Sequence, residues 1–224
     1  MLTLGEAIAR SLWAKDLTPE QLARVERETC ERIIQAGDFV CHRGDRPEYW
    51  FGVIEGLVKM SSDSEAGKAV TLTSVPAGGW FGEGTLLKRE LRKSDFVALR
   101  TSRLAFMPYR TFAWLLDTSI AFNQFLLHQL NERLGQFVGF VESDRIDDTN
   151  ARVAHCLASL FNPILYPGMP MDVPISQAEI ALLAGASRQS TNQVLRILEE
   201  RGLLRVGYGS ITILDLDGLR KFSG

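Results

Sequence analysis

The hydrophobic pattern changes twice along the chain and divides it into three predicted parts. Between residues 31 and 107, short β runs such as residues 39–41, 50–54 and 104–107 alternate with glycines. Many short strands at this spacing are typical of an antiparallel sandwich or barrel. From about residue 118 to residue 141, the apolar residues recur with a helical period. The remaining third contains further short helical patterns and ends in two β runs.

Residues 175–201 predict two short helices joined by a tight turn. Ser176 is followed three residues later by Glu179, which forms a capping box at the start of the first helix. Gly185 ends that helix, and Ser187 is a favourable N-cap for the second one. This arrangement predicts a helix-turn-helix, whose second helix enters the DNA major groove.

The outward face of the second helix carries side chains that can recognise DNA. Arginine can bond both acceptors of guanine, and asparagine or glutamine can make two hydrogen bonds with adenine. Farther along the helix, phosphate contacts are expected rather than base contacts. The predicted DNA-binding residues are Ser187, Arg188, Gln189, Asn192, Gln193, Arg196 and Arg205.

The alternative for this helix is a solvated face in a bundle. Two β runs around Gly207, Tyr208 and Gly209 predict a hairpin directly after it. Such a hairpin is a wing, and a helix-turn-helix followed by a wing is more specific than either part alone. The combination therefore favours DNA binding.

The long helical stretch has a heptad-like seam of apolar residues. Their spacing alternates between three and four positions, as in a coiled coil. The seam consists of Leu127, Leu130, Leu134, Phe137 and Val141. Either a second copy of the chain covers this seam, or the helix is buried within one chain. A two-fold homodimer would place two reading helices on a pseudo-palindromic site in double-stranded DNA.

The segment around Gly82 and Glu83 has the pattern of a tight turn followed by one helical turn. Free amides at a helix start attract anions, and Arg92, Lys93 and Ser94 add cations and a hydroxyl nearby. These groups are those that a sugar phosphate needs. The alternative is a structural turn followed by a solvated basic loop, because charge runs usually face solvent.

Composition narrows the class of protein. The chain has 224 residues, is 46% hydrophobic and carries a formal net charge of −2, which excludes a uniformly basic DNA-binding protein. No apolar run is long enough to span a membrane and no signal peptide is evident, so we expect a cytoplasmic protein without membrane contact. The three cysteines are scattered without a CxxC pair. We expect no metal site, no catalytic residues and no enzyme activity.

The order of these parts resembles the Crp/Fnr family of bacterial transcription regulators over nearly the whole chain. The resemblance implies an α+β fold. Its parts are an antiparallel, jelly-roll-like β-roll sensor domain (1–117), a dimerisation helix with a hinge (118–147) and a winged helix-turn-helix domain (148–224). It also implies a homodimer that binds DNA and contacts RNA polymerase. The residues that carry it are Gly44, Asp45, Gly56, Phe81, Gly82, Glu83 and residues 175–201.

The resemblance further implies a small-molecule effector between the β-roll and the long helix. The matching positions are Gly82, Glu83, Lys93, Ser94, Phe137 and Val138. Lys93 stands where the family's arginine pairs with the cyclic phosphate, and lysine lacks the bidentate fork. Arg92 could serve only if the loop is shifted by one residue. Phe137 and Val138 replace hydroxyl residues that contact adenine. These departures argue against cAMP, and no other cofactor is indicated.

In the DNA-binding part, Arg188, Gln189 and Gln193 match the family's base-reading positions. The cAMP-responsive members have Arg, Glu and Arg there. Because glutamate accepts from cytosine and glutamine prefers adenine, our hypothesis is that this chain recognises a different half-site. The alternative function is a cyclic-nucleotide or other small-ligand-binding module whose winged domain contacts proteins.

Overall fold

The computed structural model describes residues 2–63, 69–145 and 148–223, without the side chains of residues 63, 69, 70, 140 and 142–145. By its internal contacts the chain divides into two compact units. The roll unit comprises Met1–Arg133 and Pro163–Pro167, and the winged unit comprises Leu134–Asn162 and Gly168–Gly224. The predicted domain boundaries after residues 117 and 147 stay predictions.

Eight strands of the roll unit form the predicted β-roll. They are β1 (Cys30–Ile34), β2 (Phe39–Cys41), β3 (Tyr49–Glu55), β4 (Leu57–Asp63), β5 (Ala69–Pro76), β6 (Trp80–Phe81), β7 (Asp95–Ala98) and β8 (Ser102–Pro108). They make two four-stranded antiparallel sheets, with the orders β1-β8-β3-β6 and β2-β7-β4-β5. The α+β class and the β-roll are therefore confirmed.

Strand β3 separates two hydrophobic cores, because successive side chains of a strand point to opposite faces. Trp50 faces a core shared with the helices, where it packs against Trp13, Phe112 and Phe122. Phe51 faces the interior of the roll, together with the other buried members of that core. These two faces explain why the aromatic residues of β3 fill a large share of both cores.

Helices surround the roll. They are α1 (Leu4–Arg10), a 3₁₀ turn (Leu12–Ala14), α2 (Pro19–Glu28), α3 (Glu83–Lys88), α4 (Tyr109–Thr118) and the start of α5 (Ile120–Arg145). A capping box marks the start of α2. Thr18 Oγ1 accepts from the Gln21 amide at 3.2 Å, and Gln21 Oε1 accepts from the Thr18 amide at 2.9 Å. This reciprocal pair satisfies two amides that would otherwise lack partners.

The end of the predicted helix-and-hinge segment (118–147) is more helical than expected, because α5 continues to Arg145. Ile146 and Asp147 lie outside the described residues. Asp148 then caps the next helix by accepting from the Asn150 amide at 2.8 Å. The helical part of the prediction is thus confirmed, with a longer helix.

The winged unit combines helices with a small sheet. Its elements are α6 (Thr149–Ser159), β9 (Asp172–Val173), α7 (Gln177–Leu183), α8 (Arg188–Glu200), β10 (Leu204–Val206), β11 (Ile211–Ile213) and α9 (Leu216–Arg220). The sheet has the order β10-β11-β9. Strand β9 was not among the β runs predicted from the sequence. It was missed because it is held by pairing with β11, which is distant in sequence.

Candidate functional site

The helix-turn-helix is built from the local signals that predict it. Ser176 Oγ accepts from the Glu179 amide at 3.3 Å, while Glu179 Oε2 accepts from the Ser176 amide at 2.6 Å. Gly185 adopts a φ of 61°, the left-handed conformation that ends a helix. Ser187 Oγ accepts from the Ser190 amide at 3.0 Å and caps α8. The predicted capping box and N-cap are confirmed.

The two sides of α8 differ in the way that a reading helix requires. Its inner side is buried against the unit and consists of Thr191, Val194, Leu195 and Leu198. Its outer side exposes Arg188, Gln189, Gln193 and Arg196. Within the described part of the chain, none of these four side chains has a hydrogen-bonding partner, so their donors and acceptors are available to DNA.

Asn192 lies at the edge of this outer face. Its side chain is half-buried, and its Oδ1 atom is buried without a hydrogen-bonding partner among the described residues. It follows the fully buried Thr191 directly in sequence, which explains its intermediate position. Asn192 is therefore less accessible than the other side chains predicted to contact bases.

The wing is anchored to α8. The Val206 amide donates to Glu199 Oε1 at 2.8 Å, and the Gly207 amide donates to the Ser210 carbonyl at 2.9 Å at the hairpin turn. Arg205 is exposed on β10, and Tyr208 is fully exposed at the tip. Tyr208 was not among the predicted contacts, although its place between two glycines marks the tip of the hairpin.

In the roll unit, Gly82 and Glu83 form the turn that the sequence predicts. Gly82 has a φ of 91° and precedes α3, which begins at Glu83. Glu83 is buried, and both of its carboxylate oxygens are engaged. Oε1 accepts from Arg133 Nε at 2.7 Å, and Oε2 accepts from Trp50 Nε1 at 3.3 Å.

Arg133 was not predicted as a site residue. Burial disfavours its charge, but the Glu83 carboxylate and hydrogen bonds to Glu83 and Tyr166 outweigh burial and raise the pKa of Arg133. Its position one helical turn before Phe137 was the available sequence signal, since residues four apart share a helix face. The buried pair of Arg133 and Glu83 fixes α3 against α5.

The cation beside Gly82 is Arg92, not Lys93. Arg92 is 3% exposed, and its Nη1 donates to the Gly82 carbonyl at 2.7 Å and to Thr85 Oγ1 at 2.8 Å. Its Nη2 donates to the Tyr49 carbonyl. Lys93 instead points outward, and its Nζ lies 2.7 Å from Glu90 Oε2. Burial lowers the pKa of Arg92.

The position of Arg92 explains why residue 82 is glycine. A Cβ atom at Gly82 would lie 2.6 Å from Arg92 Nη1. Ser94 is also buried. The structure thus brings Gly82 and Arg92 together, whereas Lys93 is exposed, and the assignment of Ser94 as an effector contact stays a prediction.

The predicted seam residues lie along α5. Leu127, Leu134 and Val141 are 66%, 62% and 55% exposed, while Leu130 and Phe137 are half-buried. Phe137 and Val138 belong to the winged unit, and Val138 is 49% exposed. Their assignment as effector contacts stays a prediction.

Among residues 2–63, 69–145 and 148–223, no group of three or more His, Cys, Asp and Glu residues is placed to hold a metal ion. In the same part of the chain, no helix combines the length and the apolar character needed to cross a membrane. Of the cysteines, Cys41 and Cys156 are buried and Cys30 is exposed.

Two parts of the chain match known domain families. Residues 31–119 match the cyclic nucleotide-binding domain, and residues 151–222 match the Crp-like helix-turn-helix domain. The first match covers the strands and helices around Gly82 and Arg92. The second covers α6 to α9 with the wing.

Similar proteins span most of the chain. The transcriptional regulator SdrP of Thermus thermophilus is 30% identical over 205 residues, which are 88% of this chain and 95% of that protein. The cAMP-activated global transcriptional regulator CRP of Haemophilus influenzae is 27% identical over 175 residues, or 77% of this chain and 78% of that protein. A solved CRP/FNR family regulator, also from Thermus thermophilus, is 28% identical, with a TM-score of 0.59, and covers 86% of this chain and 97% of that one.

Proposed function

The chain belongs to the Crp/Fnr family of transcription regulators, and from that premise we propose that it binds specific double-stranded DNA sites as a homodimer under effector control. One observation carries the proposal. Arg188, Gln189, Gln193 and Arg196 form an exposed, unpaired row on α8 within the described chain, immediately beside an anchored wing.

The row divides into base-reading and phosphate-binding positions. Arg188 stands at the first position of α8, where the positive end of the helix dipole also favours approach to the DNA backbone. Arg188 reads guanine, while Gln189 and Gln193 read adenine. Arg196 and Arg205 bind phosphates and set the position of the protein on the duplex. Local charge of this kind suits a chain whose formal net charge is −2.

Homodimer formation through α5 is supported by the exposed apolar seam. Leu127, Leu134 and Val141 recur every seven residues, and each is more than half exposed. Burying such a stripe against the same stripe of a second copy is the usual driving force of coiled-coil pairing. The dimer presents two copies of α8 to a pseudo-palindromic site.

Effector control is supported by the match to a cyclic nucleotide-binding domain. We place the effector in the β-roll near Gly82, with Arg92 and Ser94 as its polar contacts. Because Arg92 takes the internal position, the argument against cAMP that rested on Lys93 no longer applies. The replacement of hydroxyl residues by Phe137 and Val138 still argues against it. Contact with RNA polymerase is a further part of the proposal.

Binding-site selection followed by a salt titration tests the proposed function. Selection should return a pseudo-palindromic duplex whose half-site differs from that of the cAMP-responsive relatives. Log affinity should then fall linearly with log salt, with a slope of about −5 if roughly six phosphates are contacted. An unselected pool with affinity independent of salt would instead favour a ligand-binding module whose winged unit contacts proteins.

A further inference from the structure

The segment Pro163–Pro167, here called the strap, contributes to the core of the roll unit. Its contacts place it in that unit, although Asn162 before it and Gly168 after it both belong to the winged unit. Loops normally run over a protein surface, because buried backbone requires partners. A loop segment that enters another unit's core therefore needs a specific receiving site.

The strap is held in the roll by buried side chains. Tyr166 is 1% exposed and Leu165 is 2% exposed, and both belong to the same core cluster as Val75 and Phe81. The Tyr166 hydroxyl donates to the Ser74 carbonyl at 2.8 Å. Tyr166 is thus enclosed on its apolar faces and hydrogen-bonded at its polar end.

The receiving surface is shaped to fit the strap. A Cβ atom at Gly79 would lie 3.0 Å from Tyr166 Cδ1 and 2.6 Å from Val75 Cγ1. Gly78 has a φ of 86°, and a Cβ there would lie 3.0 Å from the Pro167 carbonyl oxygen. Two successive glycines therefore leave the space that the ring and the strap backbone occupy.

A polar connection links this ring site to the predicted effector residues. Arg133 contacts the Tyr166 hydroxyl and also donates to Glu83 Oε1 at 2.7 Å. Arg133 additionally donates to the Trp80 carbonyl. Only one side chain therefore separates Tyr166 from Glu83.

We propose that the roll contains a binding site for a planar aromatic ring with a hydrogen-bond donor at its edge, and that Tyr166 is its built-in occupant. A small aromatic effector with a hydroxyl or amino group binds by displacing Tyr166, since the Ser74 carbonyl and the surrounding space serve one ring at a time. The regulatory part of this proposal rests on the proposed function. Because both ends of the strap lead into the winged unit, the occupant of the ring site alters DNA binding.

The test removes the Tyr166 ring and then supplies a free aromatic molecule that can take its place. Tyr166→Ala removes the ring, and 4-methylphenol, the free form of the tyrosine side chain, serves as the probe. Ligand-observed NMR should detect 4-methylphenol binding to the full-length variant, and weaker binding to the wild-type chain, where the probe must displace the Tyr166 ring. Toluene, which lacks the hydroxyl donor, should bind the variant about fivefold more weakly, the factor expected from one net hydrogen bond.

Measurements of duplex affinity then distinguish a regulatory role of Tyr166 from a role in core packing alone. The affinity of Tyr166→Ala for the selected duplex should differ from that of the wild type by about fivefold or more, and 4-methylphenol should move it back toward the wild-type value. The matched control is Leu115→Ala, which opens a cavity in the other core of the same unit. It should lose thermal stability, and its duplex affinity should not respond to 4-methylphenol.

Unchanged duplex affinity in Tyr166→Ala, together with a lower melting temperature, would make the strap a structural anchor and overturn its regulatory role. Failure of the variant to bind 4-methylphenol would overturn the ring site itself. If the wild-type chain binds no duplex, the proposed function fails, while the NMR result still decides the ring site. If Tyr166→Ala does not fold, Tyr166→Phe keeps the ring and loses the contacts of the hydroxyl with the Ser74 carbonyl and with Arg133. Hydrogen exchange in the strap should then rise, and unchanged exchange would contradict the proposal.

Discussion

At the scale of single residues, two arginines on the outer face of α8 are expected to make different contacts with DNA. Arg188 is at the first position of the helix and Arg196 lies two turns later, while both are exposed and unpaired within the described chain. The start of a recognition helix approaches base edges, whereas later turns follow the DNA backbone. Identical substitutions at these positions should therefore have different consequences.

Arg188→Ala should relax the preference at one base pair of each half-site, at a cost of about 1–3 kcal/mol per half-site, because a bidentate guanine contact is lost. Arg196→Ala should weaken binding to all sequences similarly and reduce the salt slope by about 2, because a homodimer loses two phosphate contacts. Binding-site selection and fluorescence anisotropy across a salt series measure both effects. A uniform loss in Arg188→Ala would contradict its role in base reading.

At this scale, the alternation of side chains along a strand also explains why Arg92 rather than Lys93 faces the interior of the roll. Counting back from the buried Phe96 of β7 in steps of two gives Ser94 and then Arg92, both of which are buried. Lys93 lies between them and is exposed. The family comparison suggested Lys93 because it assumed a particular loop length. Strand periodicity, extended back before the start of β7, would have selected Arg92.

At the scale of elements, the sequence predicts what local chemistry determines. Helices α7 and α8 begin at capping residues that bond within three positions, so their predicted starts were correct. Strand β9 and the strap were missed, because partners distant in sequence hold them. Tyr166 bonds to Ser74, which is 92 positions away. A proline-rich stretch contains no local signal for such a contact.

The wing provides a test at the same scale. Glu199→Ala removes the carboxylate that accepts from the Val206 amide, so the wing should lose its link to α8. We expect faster hydrogen exchange at Val206 and a fall in duplex affinity of about fivefold, equivalent to roughly 1 kcal/mol for one hydrogen bond. NMR-detected exchange and anisotropy measure these changes.

Glu200→Ala is the matched control for the wing. Glu200 is the next residue, is also exposed and has no hydrogen-bonding partner in the described chain. It carries the same charge, so its removal reports the purely electrostatic effect of a less acidic helix end. If both variants raised duplex affinity equally, charge rather than the anchoring of the wing would explain the result.

At the scale of the whole molecule, α5 leaves apolar surface that a monomer does not bury. Leu127 and Leu134 are each more than 60% exposed and lie two helical turns apart. Burying a leucine side chain fully contributes about 2 kcal/mol. A dimer that covers both residues in each copy therefore gains several such contributions, which offset the cost of association.

Replacing both leucines with glutamate tests the proposed dimer seam. Leu127→Glu combined with Leu134→Glu should give a monomer in sedimentation velocity, because two carboxylates per copy would face their symmetry mates in an apolar seam. Affinity for the palindromic duplex should fall about a hundredfold or more through lost bivalency, while affinity for an isolated half-site stays unchanged. Ile33→Glu is the control, since Ile33 is 62% exposed on β1, away from α5. A dimer that survives the double substitution would show that α5 is covered in another way, and a matching loss in Ile33→Glu would trace the effect to added negative charge instead of the seam.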